Sequence, residues 1–180
     1  MNKSIVLAGG CFWCTEAVFG RVNGVVTAVS GYANGGSESA PSYEQVCTGR
    51  TGFAEACRVT FDTETISMQD ILLIFFTTHN PTTLNRQGAD AGTQYRSGIY
   101  YDNETDVEAI RAVILQVQDE AWYADSIVTE VLPLTQFFEA EAYHQHYFAQ
   151  HPTAGYCQIV INPKLGKLKQ SFAHLYKSEA

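Results

Sequence analysis

The apolar positions of this chain change period several times, and each change marks an element. Ser4-Ile5-Val6-Leu7-Ala8 is a short continuous apolar run, the mark of a strand buried on both faces. Gly9-Gly10 ends it, and residues 13–22 predict a helix whose apolar face is Ala17, Val18 and Phe19, so the glycines form a strand-to-helix turn. Residues 25–32 predict a second strand, followed by the Gly/Ser-rich loop Asn34-Gly35-Gly36-Ser37-Glu38-Ser39-Ala40-Pro41, long enough to be functional. From Glu55 to Asp62 the pattern alternates, with Cys57, Val59 and Phe61 on one side and Ala56, Arg58 and Thr60 on the other. Ser67 to Asp70 then resembles a capping box ahead of Ile71, Leu72, Phe75 and Phe76, a buried helix that Asn80-Pro81 stops. A polar loop from Thr82 to Thr93 leads to Arg96-Ser97-Gly98-Ile99-Tyr100-Tyr101, a fourth strand.

The order β-α-β-β-α-β is that of the ferredoxin-like, split βαβ arrangement, in which helices cover one face of a mixed sheet. Beyond it, Val107, Ile110, Ile114, Val117 and Ala121 mark an amphipathic helix, Ile127 to Leu132 a strand, and Ala140 to Gln150 another helix before Pro152. Leu165, Leu168, Phe172 and Leu175, with lysines between them, predict a docking helix at the C-terminus. The expected fold class is therefore α/β in the α+β sense, a two-layer sandwich with a ferredoxin-like core, extra helices and a C-terminal extension. Such a fold leaves the function open.

At 180 residues and 46% hydrophobic content, the chain suits a single domain spanning 1–180. Its net charge of -8, with four of five lysines confined to the stretch from Lys164 to Lys177, argues against a nucleic-acid partner. No segment approaches transmembrane length and the first strand begins almost at once, so a cytoplasmic protein with no membrane contact is expected.

Cysteine usage brings in the chemistry. Five cysteines, at 11, 14, 47, 57 and 157, are an odd number without a secretion signal, which argues against a disulfide framework and leaves redox or metal chemistry. For zinc, Cys11 and Cys14 form one closely spaced pair without a second, and His144 and His146, two apart, would point to different helix faces. No metal or other cofactor is expected. Cys11 directly follows two glycines at the start of a helix, where exposed N–H groups favour a thiolate, so it is a candidate nucleophile. The plain alternative makes Cys11 and Cys14 small core hydrophobes. A thioredoxin-like thiol–disulfide exchanger and a zinc-binding interaction module also stay open at this point.

An ordered set of motifs narrows the choice. Gly10-Cys11-Phe12-Trp13, Gly31-Tyr32, Thr51-Gly52-Phe53-Ala54-Glu55, Gln87-Gly88-Ala89-Asp90-Ala91-Gly92-Thr93-Gln94-Tyr95-Arg96-Ser97, Tyr143-His144-Gln145 and Gly155-Tyr156-Cys157 together resemble the type A peptide methionine sulfoxide reductase family over most of the chain. The resemblance implies a two-layer α/β fold and reduction of the S epimer of methionine sulfoxide, free or in proteins, with thioredoxin as reductant. It places Cys11 as nucleophile and Glu55 as a buried acid, held among Phe12, Trp13 and Phe53 with its pKa raised by desolvation. Tyr32 and Tyr95 would donate to the sulfoxide oxygen, Asp90 would hold neighbouring groups in place, and Phe12 and Trp13 would receive the substrate methyl. Attack would leave a sulfenic acid on Cys11, which a second thiol converts to a disulfide. Cys157 matches a resolving position of the family and is the first expectation. Cys14 stands where the family more often has glycine and is the second, and a relay through both stays open. Cys47 lies beside the Gly/Ser loop and is a further relay candidate, whereas Cys57 is expected to be buried and inert. The chain also departs from the family at Phe53, usually histidine, and at Ala89, usually asparagine; changed local polarity and a weakened bond beside Asp90 are expected. A monomer is expected.

Overall fold

The protein is described here by a computed structural model covering residues 1–178, so the last two positions of the expected 1–180 domain lie outside the described residues. Its elements run β1 (Asn2–Gly9), α1 (Phe12–Phe19), β2 (Val25–Ala33), α2 (Tyr43–Cys47), β3 (Ala54–Asp62), α3 (Met68–Thr78), β4 (Arg86–Gln87), β5 (Asp90–Ala91), β6 (Ser97–Tyr101), α4 (Asp106–Asp119), β7 (Glu130–Pro133), β8 (Phe137–Glu139), α5 (Tyr147–Gln150) and α6 (Asn162–Ser171). The main sheet has the order β7-β6-β1-β3-β2-β8. Its inner four strands, β6-β1-β3-β2, have the ferredoxin-like order, all antiparallel, and the parallel β6–β7 pair makes the whole sheet mixed.

The continuous apolar run of β1 follows from burial on both faces. Ile5 and Leu7 join Cys57, Val59, Phe61 and Ile99 in the core on one face. Val6 and Ala8 join Ala54, Ala56 and Tyr100 on the other, beneath Leu134 and Phe137. Arg58 lies over the Phe137 ring, 4.3 Å from its centroid, so an alternating strand carries a charge without leaving it buried alone. At α3 the Ser67 hydroxyl accepts from the Asp70 N–H at 3.0 Å, a cap whose removal costs about 1 kcal/mol.

Four expectations are corrected. The helix expected over 13–22 stops at Phe19, because residues 21–23 pair with the C-terminus: Lys177 N–H donates to Arg21 O and Asn23 N–H to Leu175 O, each at 2.7 Å. The helix expected over 140–150 is instead a turn at Ala142–His144 and the single turn α5, directly after strand β8. The reason lies in the edge of β2, where the Gln145 amide replaces a neighbouring strand: Ser30 N–H donates to it at 3.0 Å and it donates to Ser30 O at 2.8 Å. His146 then takes the left-handed conformation, φ 56°. The strand expected at 127–132 begins only at Glu130, and the β4–β5 ladder forms within the stretch 82–93 read as a loop; α2 adds a short helix just after the Gly/Ser loop.

At Gly31, β8 packs close against β2. A methyl group there would lie 2.6 Å from the Phe138 carbonyl oxygen and against the Phe137 ring. Gly31→Ala is expected to destabilise the fold by about 1–3 kcal/mol, the usual cost of overpacking. Thermal unfolding measures this, and an unchanged Tm would show that β8 moves aside freely.

Candidate active site

Cys11 stands where β1 turns into α1. Gly10 makes that turn at φ +93°, and a methyl group on it would meet the Gln87 side chain at 2.6 Å, so a glycine is needed beneath the 80–93 loop. Cys11 caps α1 with φ -56° and ψ 128° and makes no side-chain cap hydrogen bond, though the Trp13 N–H is near enough to lower its thiol somewhat. The next N–H, of Phe12, donates to Glu55 Oε1 at 3.2 Å. Glu55 lies at the start of β3, opposite Tyr32 of β2, and is 1% exposed; its second oxygen, Oε2, has no partner.

Burial pushes the Glu55 carboxyl up to about 8; the Phe12 N–H offsets part of this, and the charges of Asp90 and Cys14 add to it. The carboxyl is therefore a neutral acid around pH 7. The thiolate expected at Cys11 is corrected. Burial, the neighbouring Cys14 and the nearby Glu55 together hold the resting Cys11 thiol well above the ordinary value, outweighing the Trp13 N–H. An eight-residue helix start is too weak a field to overcome dehydration beside a carboxyl.

Aromatic rings wall the site. Phe12 lies 5.7 Å from Tyr32, 5.1 Å from His144 and 6.4 Å from Tyr43 by ring centroids. Trp13 stacks on Tyr147 at 3.7 Å and donates its indole N–H to His144 Nδ1 at 3.1 Å, which fixes the plane of the indole. The Phe53 ring is buried in the same apolar cluster, over Gly35 and edge-on to Phe138 at 5.9 Å.

The two tyrosines differ. Tyr32 spends its only proton on Glu141 Oε1 at 2.8 Å, so its hydroxyl is not a free donor. Glu141 also accepts the Tyr43 N–H at 3.0 Å, which ties α2 to the wall. Tyr95 sits on a turn at Thr93–Tyr95, where burial and the charges of Glu55, Asp90 and Cys11 hold its phenol in the protonated form. Asp90, on the short ladder beneath the same loop, accepts the Tyr156 hydroxyl at 3.0 Å.

The thiols fall into three settings. Cys14, one turn along α1 from Cys11, lies 3.5 Å from the Tyr156 oxygen and is held below the ordinary thiol value, first by Cys11, against its burial, and also by the charge of Lys164. Cys157, solvent-inaccessible on the turn Cys157–Ile161 that runs into α6, senses Cys14. Cys47 is exposed at the end of α2 near Tyr43, and Cys57 is fully buried in the core. All five are free thiols.

Sequence reasoning missed Glu141, Tyr43, Tyr156 and Lys164. Lys164, on α6, is anchored by donating to Thr78 O at 2.7 Å. No periodicity marks these residues, because each reaches the site from an element remote in sequence. Among the described residues, no cluster of three or more His, Cys, Asp or Glu is placed to hold a metal ion.

Residues 3–176 match the family model described as peptide methionine sulfoxide reductase. A protein of Pasteurella multocida named peptide methionine sulfoxide reductase MsrA is 50% identical over 98% of this chain and 100% of its own length. Among solved structures, Mxr1 from Saccharomyces cerevisiae in reduced form superposes with a TM-score of 0.79 at 37% identity, covering 87% of this chain and 89% of that one. Mxr1 in complex with Trx2 superposes less closely, with a TM-score of 0.56 at 26% identity over 81% and 84% of the two chains. With a full-length match joined to a dry thiol–carboxyl pair walled by aromatic rings, the chain belongs to the peptide methionine sulfoxide reductase family, enzymes that return methionine sulfoxide to methionine.

Proposed function

We propose that the enzyme reduces the S epimer of methionine sulfoxide, free and within oxidised proteins, with Cys11 as nucleophile and Glu55 as acid. The observation that carries this reading is the buried pair itself: Cys11 beside a carboxyl whose second oxygen has no protein partner. A soft sulfur nucleophile suits the sulfoxide sulfur, and a neutral carboxyl suits its oxygen. Cys11 gives up its proton as its sulfur bonds to the substrate sulfur, Glu55 passes its own proton to the sulfoxide oxygen and takes up the one from Cys11, and Tyr95 donates to that oxygen as charge develops; the hydroxyl then moves to the Cys11 sulfur as the substrate S–O bond and the new S–S bond break. The methyl group rests against Phe12 and Trp13. Methionine leaves two electrons richer, and Cys11 leaves as a sulfenic acid, two electrons poorer. Tyr32, committed to Glu141, acts by holding the wall rather than as a direct donor. Asp90 orients Tyr156.

For the resolving step, the place of Cys14 one turn along α1 from Cys11 and the mutual shift of the two thiols support Cys14 as the first thiol to attack, with Cys157 taking the disulfide onward. This order reverses the preference from sequence, which ranked Cys157 first. An external dithiol completes the cycle, and a thioredoxin is supported by the complex of the related Mxr1 with Trx2. A single domain is supported by a family match that spans nearly the whole chain. Five free cysteines support a reducing, cytoplasmic setting and a role in protein repair, and no helix among the described residues is long and apolar enough to cross a membrane. We further propose that the enzyme acts as a monomer, because the described chain itself carries every group used above.

Dithiol-dependent reduction of separated S and R epimers of an N-blocked methionine sulfoxide, followed by chromatography, tests this reading. Methionine from the S epimer alone is expected. Reduction of neither epimer, accompanied by efficient disulfide exchange, would overturn it in favour of a thiol–disulfide exchanger.

A further inference from the structure

The Tyr156 hydroxyl lies between two groups of the site. It is 3.5 Å from Cys14 Sγ and donates to Asp90 Oδ2 at 3.0 Å. A phenol has one proton, and that proton is on the Asp90 side, so the Cys14 thiol faces the Tyr156 oxygen as donor. The ring is held edge-on to Trp13, with centroids 5.9 Å apart and planes at 80°. The groups around Cys14 are Cys11 from α1, Tyr156 and Cys157 from the C-terminal segment, Lys164 from α6, Asp90 from β5 and Glu55 from β3. Of these, Tyr156 has hydrogen-bond contacts to both Cys14 and a carboxylate.

We propose that Tyr156 positions Cys14 and carries its proton to Asp90 as Cys14 attacks the Cys11 sulfenic acid. The proposal rests on the reading of Cys14 as first resolver. The Sγ–Sγ bond forms and the S–O bond of the sulfenic acid breaks. Cys14 loses its proton to the Tyr156 oxygen while Tyr156 passes its own to Asp90. The departing hydroxide takes a proton from Glu55 and leaves as water, and both carboxyl groups then re-equilibrate with solvent. Cys14 is oxidised by one electron and the Cys11 sulfur is reduced by one. The anchored Lys164 ammonium favours the negative charge that passes through Cys14.

The test is a quenched single turnover in a Cys157→Ser background, which isolates the Cys11–Cys14 step. Methionine is measured by chromatography, the disulfide by mass spectrometry, and the sulfenic acid by dimedone trapping. Cys157→Ser alone is expected to form the Cys11–Cys14 disulfide. Adding Tyr156→Phe, which keeps the ring on Trp13, is expected to slow disulfide formation at least about tenfold near pH 7, with dimedone adduct accumulating on Cys11. The deficit closes as pH rises through the range, below that of an ordinary thiol, in which Cys14 loses its proton to solvent unaided. Asp90→Asn in the same background, which leaves the phenol in place, produces the same pH-dependent lag after methionine release. Equal disulfide rates with and without the hydroxyl, or a deficit that ignores pH, overturn the relay alone. A persistent sulfenic acid in Cys157→Ser itself overturns the Cys14 reading and the relay with it.

Discussion

Cys11→Ser lowers the rate of methionine formation from the S-sulfoxide by at least about a thousandfold, the scale on which loss of a covalent nucleophile is felt. Serine fits the space of the cysteine, so Gly10, α1 and the Phe12–Glu55 hydrogen bond persist and the fold is unaffected. What disappears is the soft sulfur, because a serine hydroxyl is a poor nucleophile toward sulfur and has no adjacent base strong enough to ionise it. Cys14 does not substitute. It lies one turn further on, against Tyr156, whereas the Phe12 N–H and Glu55 converge beside Cys11. Chromatographic assay of methionine with excess dithiol checks this, since excess dithiol bypasses any resolving cysteine. A Cys11→Ser enzyme that still turns over would transfer the nucleophile role to Cys14, and Cys14→Ser would then be the inactive variant.

The sequence patterns that matched the structure were those enforced locally. The apolar run at Ile5–Ala8 and the alternation at Cys57–Phe61 record which faces are buried, and burial acts residue by residue along a strand. The turn at Gly9-Gly10 was legible because a steric need fixed its residue type. The 140–150 segment was not, because its conformation is set by Ser30, more than a hundred residues earlier, whose backbone captures the Gln145 amide. The site shows the same divide. Motif positions marked Cys11, Glu55, Tyr95 and Asp90, but the partner that occupies the Tyr32 hydroxyl, Glu141, is 109 positions away. The protonation of Cys11 was misread for a related reason. A helix start is visible in sequence, whereas the desolvation that outweighs it depends on what the rest of the fold, including Glu55 of β3, packs around it.

Glu55→Gln is expected to yield an enzyme that is both more stable and far less active. Glutamine keeps an oxygen for the Phe12 N–H and fills the same volume, so the site keeps its shape. It cannot supply a proton, and activity falls by about 10²–10³, the usual contribution of a positioned acid. Stability moves the other way for a reason with a definite sign. In the unfolded chain the carboxyl ionises near about 4.3, whereas in the folded chain burial holds it up to about 8. Between those values the folded state keeps a proton that the unfolded state has shed. Wild-type stability therefore falls as pH rises across this window, by up to about 1.4 kcal/mol per pH unit from this group. Glutamine removes that slope, so the advantage of the variant is small at pH 5, grows to a few kcal/mol by about pH 8 and then levels off. Denaturant unfolding of both proteins at several pH values measures the divergence. Parallel curves would mean that Glu55 ionises normally in the folded protein. It would then be a carboxylate at neutral pH, unable to protonate the sulfoxide oxygen, and the acid in this site would have to be sought at Asp90 or among the tyrosines.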